Sequence, residues 1–279
     1  MENLTGKAAL VTGSTDGVGR LVARKLGQAG ARVLVHGRDA ERGARVVAEI
    51  EAAGGTASFL AADLSSLEEV RRLAGAVQAT VGRLDILINN AGIGTAGPRH
   101  TSAEGFELRF TVNYLAGFLL TLLLLPLVKN SAPARIVNVS SAGQQPIDFD
   151  DVMLTCGYSG ARAYCQSKLA QIMFTIDLAA ALQGIGVTVT CLHPATYMDT
   201  SMVRRAGVRP LSTVEEGARA ILNLATSLVV AGQTGLYFNG LREAKAQAQA
   251  YDADARRRLQ ALSLELSGIS TESMAALDR

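Results

Sequence analysis

The chain has 279 residues, 48% of them apolar, enough to bury a sizeable core, and the length fits one α/β domain with a terminal extension better than two independent domains. Its 27 basic and 25 acidic side chains are spread along the whole length and leave a formal charge of +2, which gives no electrostatic footprint for nucleic acid. Cys156, Cys165 and Cys191 are odd in number and lack paired ligand spacing, which argues against a disulfide framework or zinc site and for reduced thiols in the cytoplasm.

Short apolar or β-branched runs alternate along the chain with segments of helical period. Strands are expected over 8–12, 32–36, 57–61, 85–89, 135–140, 187–193 and 235–238. Helices are expected over 18–28, 40–53, 67–81, 102–125, 163–183 and 214–227. The first strand begins so early that no signal peptide is expected ahead of it. Near-continuous apolar runs such as Ile86-Leu87-Ile88 and Ile136-Val137-Asn138-Val139 mark strands buried on both faces, so the pattern predicts a doubly wound α/β fold, a parallel sheet of about seven strands flanked by helices. The run 118–128 is strongly apolar, but it contains Pro126 and falls short of the roughly 18 residues of a membrane span. It is read as a buried helix, with part of its surface available to another subunit. Residues 1–240 form the expected domain, and 241–279 a helical extension packed on that domain or at an interface. In the extension, Arg256-Arg257-Arg258 reads as a solvated helix face.

The first strand runs into Thr12-Gly13-Ser14-Thr15-Asp16-Gly17-Val18-Gly19, a glycine-rich turn that opens the first helix and suits a pyrophosphate. Gly13 permits the tight turn, Gly17 lets backbone N–H groups approach phosphate, and Gly19 clears space where helix meets strand. The second strand ends in His36-Gly37-Arg38-Asp39, which presents Arg38 instead of a carboxylate to the adenosine ribose. An acidic group there would repel the extra phosphate of NADP, whereas Arg38 pairs with it, so NADP(H) is favoured over NAD(H). Ser14 is a candidate second donor to that phosphate, Asp39 a candidate rival partner for Arg38, and His36 only a strand-end residue. Asp148, Asp150 and Asp151 are interrupted by Phe149 and have no partner ligands, so no metal site is expected.

In Tyr164-Cys165-Gln166-Ser167-Lys168 a spacing of four places a phenol and an ammonium on one helix face. A phenol titrates near about 10, and bringing it to about 7 takes about 4 kcal/mol of preferential phenolate stabilisation, which a fixed cation supplies. The pair is thus a candidate proton donor.

Taken with these motifs, the sequence resembles the short-chain dehydrogenase/reductase family from Lys7 to about Asn239. Asp63-Leu64 matches the family's adenine-side acidic position, and Asn89-Asn90-Ala91-Gly92 its Asn-Asn-Ala-Gly segment. Asn113 falls on the following helix, Ser141 matches the catalytic serine after a strand, and Pro194 follows the sixth strand. The long 143–163 segment, the wording Ala163-Tyr164-Cys165-Gln166-Ser167-Lys168-Leu169-Ala170 and His193-Pro194 resemble the retinol-dehydrogenase-like branch. Two departures stand out. Ala195 replaces the usual glycine, and Asp199 stands where a serine or threonine commonly holds the nicotinamide carboxamide, leaving Thr196 or Thr200 to substitute.

The resemblance implies a Rossmann-type fold, a homodimer or homotetramer and a small-molecule carbonyl or alcohol substrate. It also implies a reaction in which Ser141 hydrogen-bonds the substrate oxygen and Tyr164 protonates it. Lys168 lowers the tyrosine and holds the nicotinamide ribose, while Asn113 anchors a water that leads to solvent. The alternative reading is a catalytically silent NADP(H)-sensing regulator on the same fold. The segments 147–160 and 196–208 are expected beyond the strand ends, where they would shape the substrate pocket.

Overall fold

The computed structural model describes residues 2–269. In chain order the regular elements are β1 (Ala8–Val11), α1 (Gly17–Gln28), β2 (Arg32–Gly37), α2 (Ala40–Ala52), β3 (Thr56–Ala61), α3 (Leu67–Thr80), β4 (Ile86–Asn89), α4 (Leu108–Phe110), a π-turn (Thr111–Leu115), α5 (Ala116–Asn130) and β5 (Ala134–Val139). They continue with α6 (Gly160–Ala181), β6 (Val187–His193), α7 (Ser201–Arg205), α8 (Val214–Thr226), β7 (Tyr237–Asn239), β8 (Arg242–Ala244) and α9 (Ala253–Ser267). The sheet order is β3-β2-β1-β4-β5-β6-β7-β8, parallel throughout except for β8, which returns antiparallel to β7. The order reverses between β1 and β4. A crevice therefore opens beyond their carboxyl ends, the place where this topology receives ligands.

Alternate residues of each buried strand feed two cores. Leu10, Leu34, Leu87, Ile136 and Val189 face α3, α5, α6 and α9. Val11, Val33, Val35, Ile88 and Val137 face α1 and α8. Each such side chain contributes about 1.5–3 kcal/mol by leaving water, which is why the strands are apolar in both registers. Helix α1 buries Val22 and Leu26, one turn apart, and Asp16 caps its start by accepting from the Gly17 N–H at 2.7 Å.

Three departures from the sequence pattern have local causes. The helix expected from 102 starts at Leu108, because Ser102 N–H donates to the Phe106 carbonyl (2.7 Å) and Gly105 takes a left-handed φ of 86°, closing a tight turn first. The Glu107 carboxylate then caps the helix at the Phe110 N–H, 2.7 Å away. Pro126 does not stop it; the helical stretch runs from Leu108 to Asn130, long and apolar enough for a bilayer, yet 72% of its most apolar window is buried inside the fold. The extension is helical only from Ala253, because residues 242–244 add the eighth strand first. Its residues 270–279 lie outside the described residues.

Part of the apolar helix expected to meet another subunit is covered by the chain's own tail. Helix α9 packs over α5 and α6, with the Tyr114 hydroxyl 2.7 Å from Ser263 Oγ and Leu259 and Leu264 buried beside Phe118 and Phe174. Of the three arginines read as a solvated face, Arg257 and Arg258 are exposed, whereas Arg256 ties the helix to α6. Arg256 pairs with Asp177 (2.6 Å), Arg258 lies over the Phe149 ring, and Arg257 pairs with Asp254.

Candidate active site

The glycine-rich turn is held by contacts that leave no room for side chains. A Cβ on Gly13 would stand 2.8 Å from Ala91 Cα, and one on Gly19 would stand 2.4 Å from both Asn90 Nδ2 and the Gly13 carbonyl. Gly17 takes a φ of 52°. Thr12 Oγ1 accepts from the N–H groups of Asn90 (2.9 Å) and Ala91 (3.0 Å), and Asn90 Nδ2 donates back to the Thr12 carbonyl at 2.8 Å. The β1 and β4 ends thus close on each other, leaving the turn's backbone as the surface a pyrophosphate would meet. Val18 and Leu64 are buried beneath this end of the sheet.

His36 is more than a strand-end residue. Its Nδ1 accepts from the Gly13 N–H at 3.0 Å, so the proton sits on Nε2, and burial pushes the ring's pKa down to about 4. Ser14 does not point where a second phosphate donor must: its hydroxyl is fully buried, donating to the Val11 carbonyl (2.7 Å) and accepting from the His36 N–H (2.9 Å). Asp39 does not compete for Arg38 either. It caps α2 at the Arg42 N–H (3.0 Å) and pairs with Arg42, while exposed Arg38 lies 3.8 Å from Asp63. Gly37 is required beside them, since a Cβ there would stand 2.6 Å from Thr15 Cγ2.

On the other side of the crevice, Ser141 leaves β5 and Tyr164 rises from the second turn of α6, close enough for the Ser141 hydroxyl to act on the phenol and lower its pKa. Ser141 Oγ also accepts from the Gly143 N–H at 3.0 Å. Lys168, four residues along α6, is buried, and its Nζ donates to the Val139 carbonyl and Gln171 Oε1, both at 2.9 Å. The nitrogen lies 5.7 Å from the centre of the Tyr164 ring. Ser140 Oγ donates to the Lys168 carbonyl (2.8 Å), which ties the strand end to this turn of the helix.

Burial governs the electrostatics of the pair. Burial holds the Tyr164 phenol above its usual value, opposed by the neighbouring Ser141 hydroxyl. Burial of the Lys168 ammonium itself brings it from 10.5 down to about 7. The Asn113 side chain is fastened to its neighbours. Its Oδ1 accepts from the Ile93 N–H (2.7 Å), and its Nδ2 donates to the Ile93 carbonyl (3.2 Å) and Ser167 Oγ (2.9 Å), so the amide's donors are spent on protein instead of water. Asn113 sits in the π-turn, which rotates it toward the Gly92 segment. A Cβ on Gly92 would lie 3.2 Å from Asn113 Oδ1 and 3.6 Å from Lys168 Nζ.

The segment after Pro194 crosses back to the glycine turn. Thr196 Oγ1 pairs with His193 Nε2 (3.0 Å) and Asp199 with Arg204 (2.7 Å), so of the two threonines Thr200 approaches the cradle, its Cγ2 3.3 Å from a Cβ placed on Gly17. Ser201 Oγ donates to Asp16 Oδ2 at 2.7 Å, and this bond leads the effects that lower the Asp16 pKa. Asp148 pairs with Arg162 (2.7 Å), and Asp151 accepts from the N–H groups of Thr155 (2.8 Å) and Cys156 (2.9 Å). Among the described residues no three possible ligands gather around a metal.

Several site residues gave no local signal in the sequence. Tyr237 OH (3.1 Å) and Gln144 Nε2 (2.8 Å) both donate to the Ser141 carbonyl, and Gln144 Oε1 accepts from the Gln247 N–H of the extension at 2.8 Å. Buried Arg109 and Glu107 join the Gly94 carbonyl (2.8 Å from Arg109 Nε) to Tyr158, which donates to Glu107 at 3.1 Å, just before α6. Gln171 did have a signal, being one helical turn beyond Lys168 on the same face.

A glycine cradle at the sheet's switch point, with a hydroxyl pair and a buried amine across the crevice, defines the class as an oxidoreductase that works with a nicotinamide dinucleotide. A family model described as short chain dehydrogenase matches residues 7–209. Human retinol dehydrogenase 13 is 36% identical, covering 97% of this chain and 87% of its own, and human retinol dehydrogenase 11 is 38% identical, covering 95% and 87%. Among solved structures, an uncharacterised Mycobacterium paratuberculosis protein superposes with a TM-score of 0.80 at 30% identity, covering 96% of both chains. The Pseudomonas aeruginosa RhlG/NADP active-site complex gives 0.69 at 33%, covering 86% of this chain and 97% of its own. The chain belongs to the short-chain dehydrogenase/reductase family, in its retinol-dehydrogenase-like branch.

Proposed function

We propose that this oxidoreductase interconverts a ketone or aldehyde and an alcohol with NADP(H). The observation that carries this reading is the Ser141–Tyr164 hydroxyl pair beside buried Lys168, across the crevice from the glycine turn. The cofactor fits the residues present, since Gly13, Gly17 and Gly19 put no side chain over the turn, and a Cβ at Gly13 or Gly19 would collide with the backbone or side chain opposite. Arg38 would hold the ribose phosphate, Asp63 and Leu64 the adenine side, Asn90, Ala91 and Gly92 the centre, and Lys168 the nicotinamide ribose, with Pro194 and Thr200 beyond. When bound, the cofactor supplies the hydride.

The chain's own residues handle the oxygen and its proton. Ser141 donates to the substrate oxygen, and Tyr164 transfers its phenolic proton to that oxygen as charge develops. The phenol, held above its usual pKa by burial, stands protonated at neutral pH, as a donor must. The relatives named retinol dehydrogenases support an alcohol–aldehyde couple, and the RhlG complex with NADP supports the phosphorylated cofactor.

The test is cofactor oxidation by the purified protein with a panel of aldehydes and ketones, run with NADPH and with NADH. Faster turnover with NADPH is expected. NADPH binding with no turnover on any carbonyl or alcohol would return the chain to the silent-sensor reading.

A further inference from the structure

We propose that Gln171 is a positioning residue for Lys168, its side-chain carbonyl clamping the amine against the end of β5. The inference rests on the role given to Lys168 above, and its geometry is direct. Gln171 Oε1 and the Val139 carbonyl each lie 2.9 Å from Nζ, and both side chains are buried, at 4% exposure. Of the three N–H groups on the amine, two are thereby fixed in direction, and the third is left for the crevice.

What surrounds the amine makes Gln171 decisive. From its own helix the titratable neighbour is Tyr164, whose ring face it approaches. From the π-turn and the strand ends it meets neutral groups, the Asn113 amide near Gly92 and the Val139 carbonyl. Among the described residues no carboxylate offsets its burial, which is the cause of its fall to about 7. The Gln171 carbonyl is therefore the one side-chain acceptor that favours the ammonium over the amine, and it does so without adding a charge. A glutamine fits this purpose where a glutamate would not. Glutamate would keep the amine charged and bind it as a salt bridge, drawing it from Tyr164 and from any ribose, whereas a neutral carbonyl holds the amine and still lets it exchange partners.

The test is the titration of Lys168 by isotope-labelled lysine NMR in the wild-type chain and in Gln171→Glu, Gln171→Met and Gln171→Asn, with Lys168→Met identifying the resonance. The midpoint should rise by about one pH unit or more in Gln171→Glu, where a carboxylate adjoins the amine, and should fall in Gln171→Met. Gln171→Asn, one methylene short of contact, should lie between wild type and Gln171→Met. The alkaline limb of kcat/KM should move with the midpoint in each variant. A wild-type midpoint retained in Gln171→Met and Gln171→Asn would overturn the proposal even if Gln171→Glu failed to fold. Because the midpoint is read without turnover, the result stands apart from the proposed function: a chain that never oxidised NADPH while the midpoints moved as stated would cost the function and keep the clamp.

Discussion

Replacing Lys168 with Met should make the protein more stable at neutral pH while abolishing its activity. The buried amine titrates at about 7 against an ordinary 10.5, a gap of about 3.5 pH units. At 1.36 kcal/mol for each, holding the charge inside costs about 5 kcal/mol at pH 7 and below. Against this, methionine leaves the Val139 carbonyl and Gln171 Oε1 without their donor, at about 1–2 kcal/mol each. The net gain is about 2 kcal/mol, or about 3 °C in Tm for a chain of this length.

The sign reverses with pH. A base whose folded pKa is depressed carries its full penalty below that value, and the penalty is relieved as pH rises through the folded pKa toward the unfolded one. By about pH 10 little of it remains, while the lost hydrogen bonds still count, so wild type should become the more stable protein somewhere between about pH 8 and 10. Thermal unfolding of both proteins across pH 6 to 10, read by circular dichroism, measures the crossing. A stability difference that is the same at both ends, or a variant already weaker at pH 6, would refute the reasoning.

Arg38→Ala should weaken NADPH binding about tenfold and leave NADH binding nearly unchanged, because the side chain is solvent-screened and its pair with Asp63 is loose at 3.8 Å; fluorescence titration with both cofactors reads the ratio. Gly160→Ala should destabilise the fold by about 2 kcal/mol or more and raise KM, since its Cβ would stand 2.1 Å from the Thr95 carbonyl and push the 94–96 loop away from α6; Tm and substrate saturation curves measure the two effects. Tyr114→Phe should cost about 1 kcal/mol and loosen α9 selectively, because it removes the hydroxyl from Ser263 and nothing else, and hydrogen exchange along Ala253–Ser267 reports it.

Where side chains alone dictate structure, the sequence was readable. Apolar runs in Ile86–Asn89 and Ala134–Val139 require burial on both faces, and the Gly13–Gly19 spacing requires a close turn, so the doubly wound sheet and its crevice followed from pattern. Tyr164 and Lys168 were found by helical spacing, and α6 does present them together. What the spacing could not supply was burial. The expectation that a cation would acidify the phenol assumed an ammonium at full charge, and only the packing of α6 against β5 reveals how far that charge is penalised.

Side-chain direction was equally hidden. Ser14 and Asn113 have the residue types their expected roles need, but their polar atoms turn toward His36 and toward Ile93 and Ser167. His36 carried the opposite error, being dismissed although its ring braces Gly13. Tyr237 reaches the Ser141 carbonyl, where Gln144 also donates, from 96 residues along the chain, and no one-dimensional pattern links positions so far apart.

The account depends most on Tyr164 as the proton donor, and Tyr164→Phe keeps the ring while removing the hydroxyl beside Ser141. Cofactor affinity and single-turnover reduction measured on that variant test the claim directly. Unchanged NADPH affinity with hydride transfer slowed at least about a hundredfold is the expected result, and reduction at the wild-type rate would contradict it.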